Sequence, residues 1–352
     1  MHAARLFRKT FFRFFFYLPS ACVPGCVNTI PKGKWFDNAG NMILSETELY
    51  SKYPANAASW AGSWTKYGIS FSDAAYEIPA GSTADISAAV HLGPGQYKFS
   101  LNSGNDNIAA GDIVQRICPA SHSMGLKCLV SGRKVGVTTL TATAKGLDTG
   151  YGSTVIRVVF TDVPYKGVYY SEPVYWAVEQ GITNGYSDAD GIARTFKPQN
   201  TCTREAVVTF LWRMAGKPEP GTKKSPFKDV QDPAKYYYKA VLWAAEKGIT
   251  GGYSDGTFRP DATCLREHVV TFIWRYAGKP EPASGRNPFN DVKSSDYYYK
   301  AALWANSRGI AKGYSSGEHA GGFGPKLDCL REHVVTFLRR YYLSVHGAPA
   351  VD

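Results

Sequence analysis

The sequence predicts a multidomain chain: an all-β N-terminal sandwich followed by a mostly α-helical domain made of three repeats. Three observations predict this. The stretch TCTREAVVTFLWR from Thr201 returns as TCLREHVVTFIWR from Thr263 and as DCLREHVVTFLRR from Asp328. Arg204, Arg266 and Arg331 hold one place in the copies, and a period of about 60 residues marks a repeated supersecondary unit. Residues 66–159 instead alternate apolar and polar positions between Gly, Pro, Asn and Asp punctuation, which is the pattern of strands.

At 352 residues the chain is long enough for two or three domains, and an apolar fraction of 44% is that of a folded protein. The net charge of +11 favours acidic partners such as nucleic acid, anionic lipid or anionic glycan. Nucleic acid is not expected, because no binding motif is present and the basic residues are scattered rather than striped. The charge is compatible with an acidic polymer without pointing to one.

Taken in order, residues 1–30 read as an export leader. Arg5, Arg8, Lys9 and Arg13 form its positive region, and Pro19-Ser20-Ala21 offers small residues for cleavage. The apolar run Phe11–Leu18 is too short to span a bilayer, so no transmembrane segment beyond that leader is expected. Residues 31–65 show no clear period and read as a linker or lead-in. Residues 66–159 hold seven expected strands: Ile69–Phe71, Ala84–Val90, Tyr97–Leu101, Ile113–Ile117, Leu126–Val130, Thr138–Ala144 and Thr154–Val159. The repeats follow at 160–220, 227–282 and 289–345. The connectors AGKPEPGTKKSP and AGKPEPASGRNP stop a helix with glycine and then proline.

Each repeat opens on Phe-x-Asp-Val at Phe160, Phe227 and Phe289, and passes through a helix ending in Gly-Ile. It turns at Gly185-Tyr186, Gly252-Tyr253 or Gly313-Tyr314 and enters a second helix. The turn is cleanest in the middle copy, GYSDGTFRP, and the third copy has Ser316 where the turn aspartate stands. In the second helix Val207, Phe210, Leu211 and Met214 make one apolar face. Neither helix can bury its face alone, so three helix pairs side by side around one core, with pseudo-threefold character, are expected.

These motifs, in this order and three times over, resemble the S-layer homology domain. The resemblance implies tandem repeats that anchor a bacterial surface protein non-covalently to cell-wall polysaccharide. It also implies an extracellular location and, as ligand, pyruvyl-ketal carboxylates on a secondary cell-wall polymer. The stretches EIPAGSTADISAAV and SGRKVGVTTLTATA resemble a bacterial Ig-like domain of the BIG2 type.

An arginine in the first turn of a helix stands against the helix dipole, at a cost of about 0.3–1 kcal/mol. Three at one position ask for a reason. A guanidinium beside the free N–H groups of a helix start can hold a carboxylate through two parallel bonds. The polysaccharide-binding candidates are therefore Arg204, Arg266 and Arg331, with Glu205, Glu267 and Glu332 beside them. Tyr186, Tyr253 and Tyr314 after the turn glycine are placed to stack on a sugar. The alternative is that each arginine pairs with its neighbouring glutamate or with a carboxylate of the next repeat. The expected arrangement places each arginine on the surface, in a groove between repeats, with Arg266 mattering most and Arg331 least. Thr201, Thr263 and Asp328 are the expected N-caps, since Leu265 and Leu330 cannot cap.

Trp176, Trp243 and Trp304 share a position as core residues or groove walls, and His268 and His333 read as surface or hydrogen-bonded residues. Of the seven cysteines, Cys202, Cys264 and Cys329 share a position and are expected buried and unpaired, while Cys118 and Cys128 could bridge a hairpin. No zinc spacing, catalytic constellation, P-loop or Rossmann fingerprint is present, so neither metal, cofactor nor enzyme activity is expected. Two rivals stay open: an assembly or adhesion module that has lost glycan binding, with self-assembly allowed, and an enzyme whose site lies in residues 31–159.

Overall fold

The computed structural model describes residues 35–36, 42–43, 68–91, 98–117, 124–145 and 149–347. The expected leader, most of the lead-in and Cys118 lie outside the described residues. Two compact units divide at Val159 and Phe160. Within residues 31–65 one short antiparallel pair is described, β1 (Trp35–Phe36) with β2 (Met42–Ile43).

The first unit is β-rich: β3 (Gly68–Phe71), β4 (Ala75–Pro79), β5 (Thr83–His91), β6 (Lys98–Ser103), β7 (Ala109–Ile117), β8 (Met124–Gly132), β9 (Gly136–Lys145) and β10 (Thr149–Val159). Alternate residues supply the core: Ile86, Ala88 and Val90 from β5, Leu126, Cys128 and Val130 from β8, Leu140, Ala142 and Ala144 from β9. The ladder runs β6-β9-β10-β3-β5-β8-β7, with β4 parallel to β10. Two strand sets, β3-β5-β8-β7 and β6-β9-β10 with β4, are linked by a single bridge between Gly68 of β3 and Tyr151 of β10. Gly152 makes the join possible, because a Cβ there would stand 1.8 Å from the Ile69 carbonyl oxygen. Cys128 is buried and free, so no hairpin disulfide forms at it.

The second unit holds α1 (Ser171–Glu179), β11 (Tyr186–Ser187), β12 (Ala193–Thr195), α2 (Arg204–Met214), α3 (Tyr238–Glu246), α4 (Arg266–Tyr276), α5 (Tyr299–Ser307) and α6 (Arg331–His346). The repeats are joined differently from the expected self-paired helices. The main partner of each second helix is the first helix of the next repeat: α2 lies on α3, α4 on α5, and α6 closes the circle on α1. The unit is therefore an interlocked ring of three with long loops and a short hairpin, not a plain helical bundle.

At the axis three backbone bonds form a triangle. Cys264 N–H donates to the Cys202 carbonyl (2.8 Å), Cys202 N–H to Cys329 (3.0 Å), and Cys329 N–H to Cys264 (3.0 Å). The three side chains are buried and unpaired, as the shared repeat position implies. Burial pushes the Cys202 thiol up to about 12. In native protein these three thiols are expected to resist a bulky maleimide over hours and to react within minutes in denaturant; fast native labelling would mean that the axis opens.

The helix starts explain a second difference. The N-caps are Thr203, Leu265 and Leu330, and none makes a side-chain capping bond. The first two N–H groups of each helix donate instead to the following repeat. Arg204 and Glu205 use Ala262 and Pro260, Arg266 and Glu267 use Leu327 and Pro325, and Arg331 and Glu332 use Asn200 and Pro198. With those donors satisfied across the seam, leucine at the cap costs little. His268 and His333 add a reverse bond, their Nδ1 accepting from Leu265 N–H (3.2 Å) and Leu330 N–H (3.4 Å). Burial and nearby cations hold both imidazoles neutral, at about 4, which an acceptor Nδ1 requires.

Candidate functional site

Each seam joins a helix start of one repeat to the turn of the next. The loop comes first. The Phe-x-Asp-Val aspartate clamps it with both carboxylate oxygens: Asp229 accepts from Phe258 N–H (2.8 Å) and Arg259 N–H (2.7 Å). Asp162 does the same for Phe196 and Lys197, and Asp291 for Phe323 and Gly324. The second residue of each clamp has positive φ (Lys197 58°, Arg259 57°, Gly324 69°), an expensive turn for lysine or arginine that two charge-assisted bonds offset. Gly252, φ 67°, lies over the first phenylalanine of its repeat, where a Cβ would meet the Phe227 ring at 2.5 Å.

The clamped phenylalanine offers its carbonyl to the arginine of the preceding repeat. Arg204 Nε donates to Phe258 O (2.9 Å), Arg266 Nε to Phe323 O (3.1 Å) and Arg331 Nε to Phe196 O (3.0 Å). Three rings surround each guanidinium: Tyr253, Phe258 and Phe272 around Arg204; Tyr314, Phe323 and Phe337 around Arg266; Tyr186, Phe196 and Phe210 around Arg331. The expected surface position is thereby corrected. The arginines are only 3%, 4% and 5% exposed and form part of the seam's core. The rings offset the dipole cost by cation–π attraction, which strengthens when the cation is desolvated. None of the three forms an ion pair with its neighbouring glutamate among the described residues.

What remains of the fork differs between seams. One Nη of Arg266 donates to the Lys312 carbonyl (3.3 Å). The Nη atoms of Arg204 and Arg331 make no hydrogen bond among the described residues. A second cation stands over the tyrosine at two seams only, Arg259 over Tyr253 (4.2 Å) and Lys197 over Tyr186 (4.6 Å). Gly324 fills that place at the third seam. The exchange between repeats places the intact GYSDGTF turn against Arg204 and the turn lacking its aspartate against Arg266.

The glutamates serve the other side of the same helix starts. Tyr236 OH donates to Glu205 (3.1 Å), Tyr297 OH to Glu267 (3.1 Å) and Tyr169 OH to Glu332 (2.7 Å), in each case across the seam. Gln199 Nε2 also donates to Glu332 (2.7 Å), and Lys326 Nζ to Glu267 (2.8 Å). At the equivalent place beside Glu205 stands Asp261, an acid. Burial first, and Asp261 in addition, raise the Glu205 carboxyl above the usual range, and its Oε2 is buried without a partner. Asp261→Lys, which copies the Lys326 arrangement, is expected to stabilise the unit by about 1 kcal/mol and raise its melting temperature. An unchanged or lower melting temperature would contradict this.

Sequence reasoning singled out the arginines, the glutamates and the turn tyrosines, and the structure brings Arg204 to Tyr253, Arg266 to Tyr314 and Arg331 to Tyr186. It missed the clamp aspartates, Phe196, Phe258 and Phe323, and the tyrosines that hold the glutamates. Their signal was present, because each recurs at one repeat position. Trp243 and Trp304 are core, and Trp176 is half-buried against Tyr342.

Residues 159–208, 226–270 and 288–334 match the S-layer homology domain. The chain is 28% identical over 151 residues to a cellulosome-anchoring protein of Acetivibrio thermocellus, covering 41% of this chain and 33% of that one. It is 26% identical over 174 residues to cell surface glycoprotein 1 of the same organism, 47% of this chain and 7% of that one. It is 28% identical over 163 residues to an endoglucanase of a Bacillus species, 44% of this chain and 16% of that one. The chain therefore spans a third or less of the length of each of these relatives. Domains 4 and 5 of the S-layer protein SbsC align at 14% identity and a TM-score of 0.21, over 26% of this chain and 50% of that one, too slight to argue from. No helix among the described residues is long and apolar enough to cross a membrane.

Proposed function

We propose that the ring of repeats holds this protein non-covalently on the cell wall by binding an acidic secondary cell-wall polysaccharide that carries pyruvyl groups. The chain is an extracellular protein of the cell surface with three S-layer homology repeats. The observation that carries the reading is the guanidinium at each seam, boxed by aromatic rings, with Nη atoms unspent at Arg204 and Arg331. A carboxylate can meet those Nη atoms and the second cation together, while the aromatic box keeps the guanidinium desolvated and its attraction strong. The seam of Arg204, Tyr253 and Arg259 is the strongest site on this reading, and that of Arg266 and Tyr314 the weakest. The β unit serves as an Ig-like spacer, and the chain acts by binding rather than catalysis.

Sedimentation with purified cell wall tests this. The chain should pellet with wall that retains its polysaccharide and stay in solution with wall from which the polysaccharide has been removed. Equal pelleting with both would place the attachment elsewhere.

A further inference from the structure

We infer that Tyr169, Tyr236 and Tyr297 are three aromatic platforms on which sugar rings of the wall polymer stack, a contact set separate from the arginine boxes; the inference rests on the wall-binding reading above. These residues do not belong to the turn motif. They come from the aromatic run before the first helix of each repeat.

Three features recur at all three. First, the rings are open: Tyr169, Tyr236 and Tyr297 are 57%, 58% and 55% exposed, unusual for a position so constant within the ring. Second, the hydroxyl is fixed across the seam by Glu332, Glu205 or Glu267, itself nine-tenths or more buried. Third, the next tyrosine meets each ring edge to face, at 5.3 Å for Tyr170, 5.2 Å for Tyr237 and 5.1 Å for Tyr298, with interplanar angles of 88°, 82° and 90°. Each exposed ring is therefore held at both its tip and its side.

A rigid, half-bare aromatic ring is what the apolar C–H face of a pyranose needs, because the ring loses little freedom on binding. The turn tyrosines are less suited. Tyr253 and Tyr186 each carry two cations over the ring, and Tyr314 carries Arg266. The buried glutamates are then positioning residues. Each pins a platform that belongs to the next repeat, so a platform is complete only where the ring of repeats is closed. Anionic groups go to the arginine side of a helix start and sugar faces to its glutamate side.

The test uses sedimentation with polysaccharide-bearing wall and hydroxyl-radical footprinting of the wild type with polysaccharide released from that wall. The variant Tyr169→Ala/Tyr236→Ala/Tyr297→Ala is expected to lose binding about tenfold or more. The corresponding Tyr→Phe triple, which keeps the rings, is expected to lose much less. Footprinting needs no variant, and should show protection of Tyr169, Tyr236 and Tyr297 by the polymer. Wild-type affinity in the folded Ala triple, or unprotected tyrosines in wild type that binds, would overturn this inference and leave wall binding standing. Wild type that does not bind the wall at all would overturn both.

Discussion

A chain ending at residue 287, with the third repeat removed, is expected not to fold as a monomer. The cut removes α5 and α6, and with them two of the three seams. α4 loses the surface on which it lies, and α1 loses α6. Arg266 loses its carbonyl partner and all three of its rings, because Phe323, Tyr314 and Phe337 lie beyond the cut. The axial triangle loses two of its three bonds. Since a domain's net stability is about 5–15 kcal/mol, losing two seams removes all of it. Circular dichroism and size-exclusion chromatography check this. Loss of the cooperative melt, or assembly of several chains that close the seams between molecules, is the expected result. A monomer melting near the full-length temperature would show that each repeat stands alone.

Arg204→Ala is expected to destabilise the second unit by about 3–5 kcal/mol, because it strips a buried carbonyl of its donor, removes a desolvated cation from three rings and leaves a cavity. A denaturant titration measures it. A cost under about 1 kcal/mol would place the arginine on the surface after all. Arg204→Lys should cost less, but lysine cannot keep the Nε bond and fill the box together. The consequence for binding assays is direct. Removing an arginine damages the fold, so the charge at a seam is better probed at Arg259 and Lys197, which are exposed.

Much of this architecture was legible in the residues. The repeated segment gave the three units and the shared place of the arginines. Alternation located the other strands, although β4 (Ala75–Pro79), which ends on a proline, was not picked out. The common position of Cys202, Cys264 and Cys329 implied burial, which the axial triangle explains. The exchange of helices was not legible, because an apolar helix face looks the same whether it meets its own repeat or the next. That hidden step carried two further misreadings. Leu265 and Leu330 looked unable to start a helix only because the acceptors for its first N–H groups lie in another repeat. The arginines looked exposed because all three rings around each one come from the next repeat, with Phe210, Phe272 and Phe337 on second helices and the remainder on turns.

The most direct test of the claim that the polymer is held at the seams is an NMR titration of the isotopically labelled chain with soluble anionic polysaccharide released from the wall. The account predicts saturable shifts at Tyr253 and Arg259 and at Tyr186 and Lys197, with smaller ones at Tyr314 and Gly324. Shifts confined to residues 68–159, or equal at all three seams irrespective of their second cation, would contradict it.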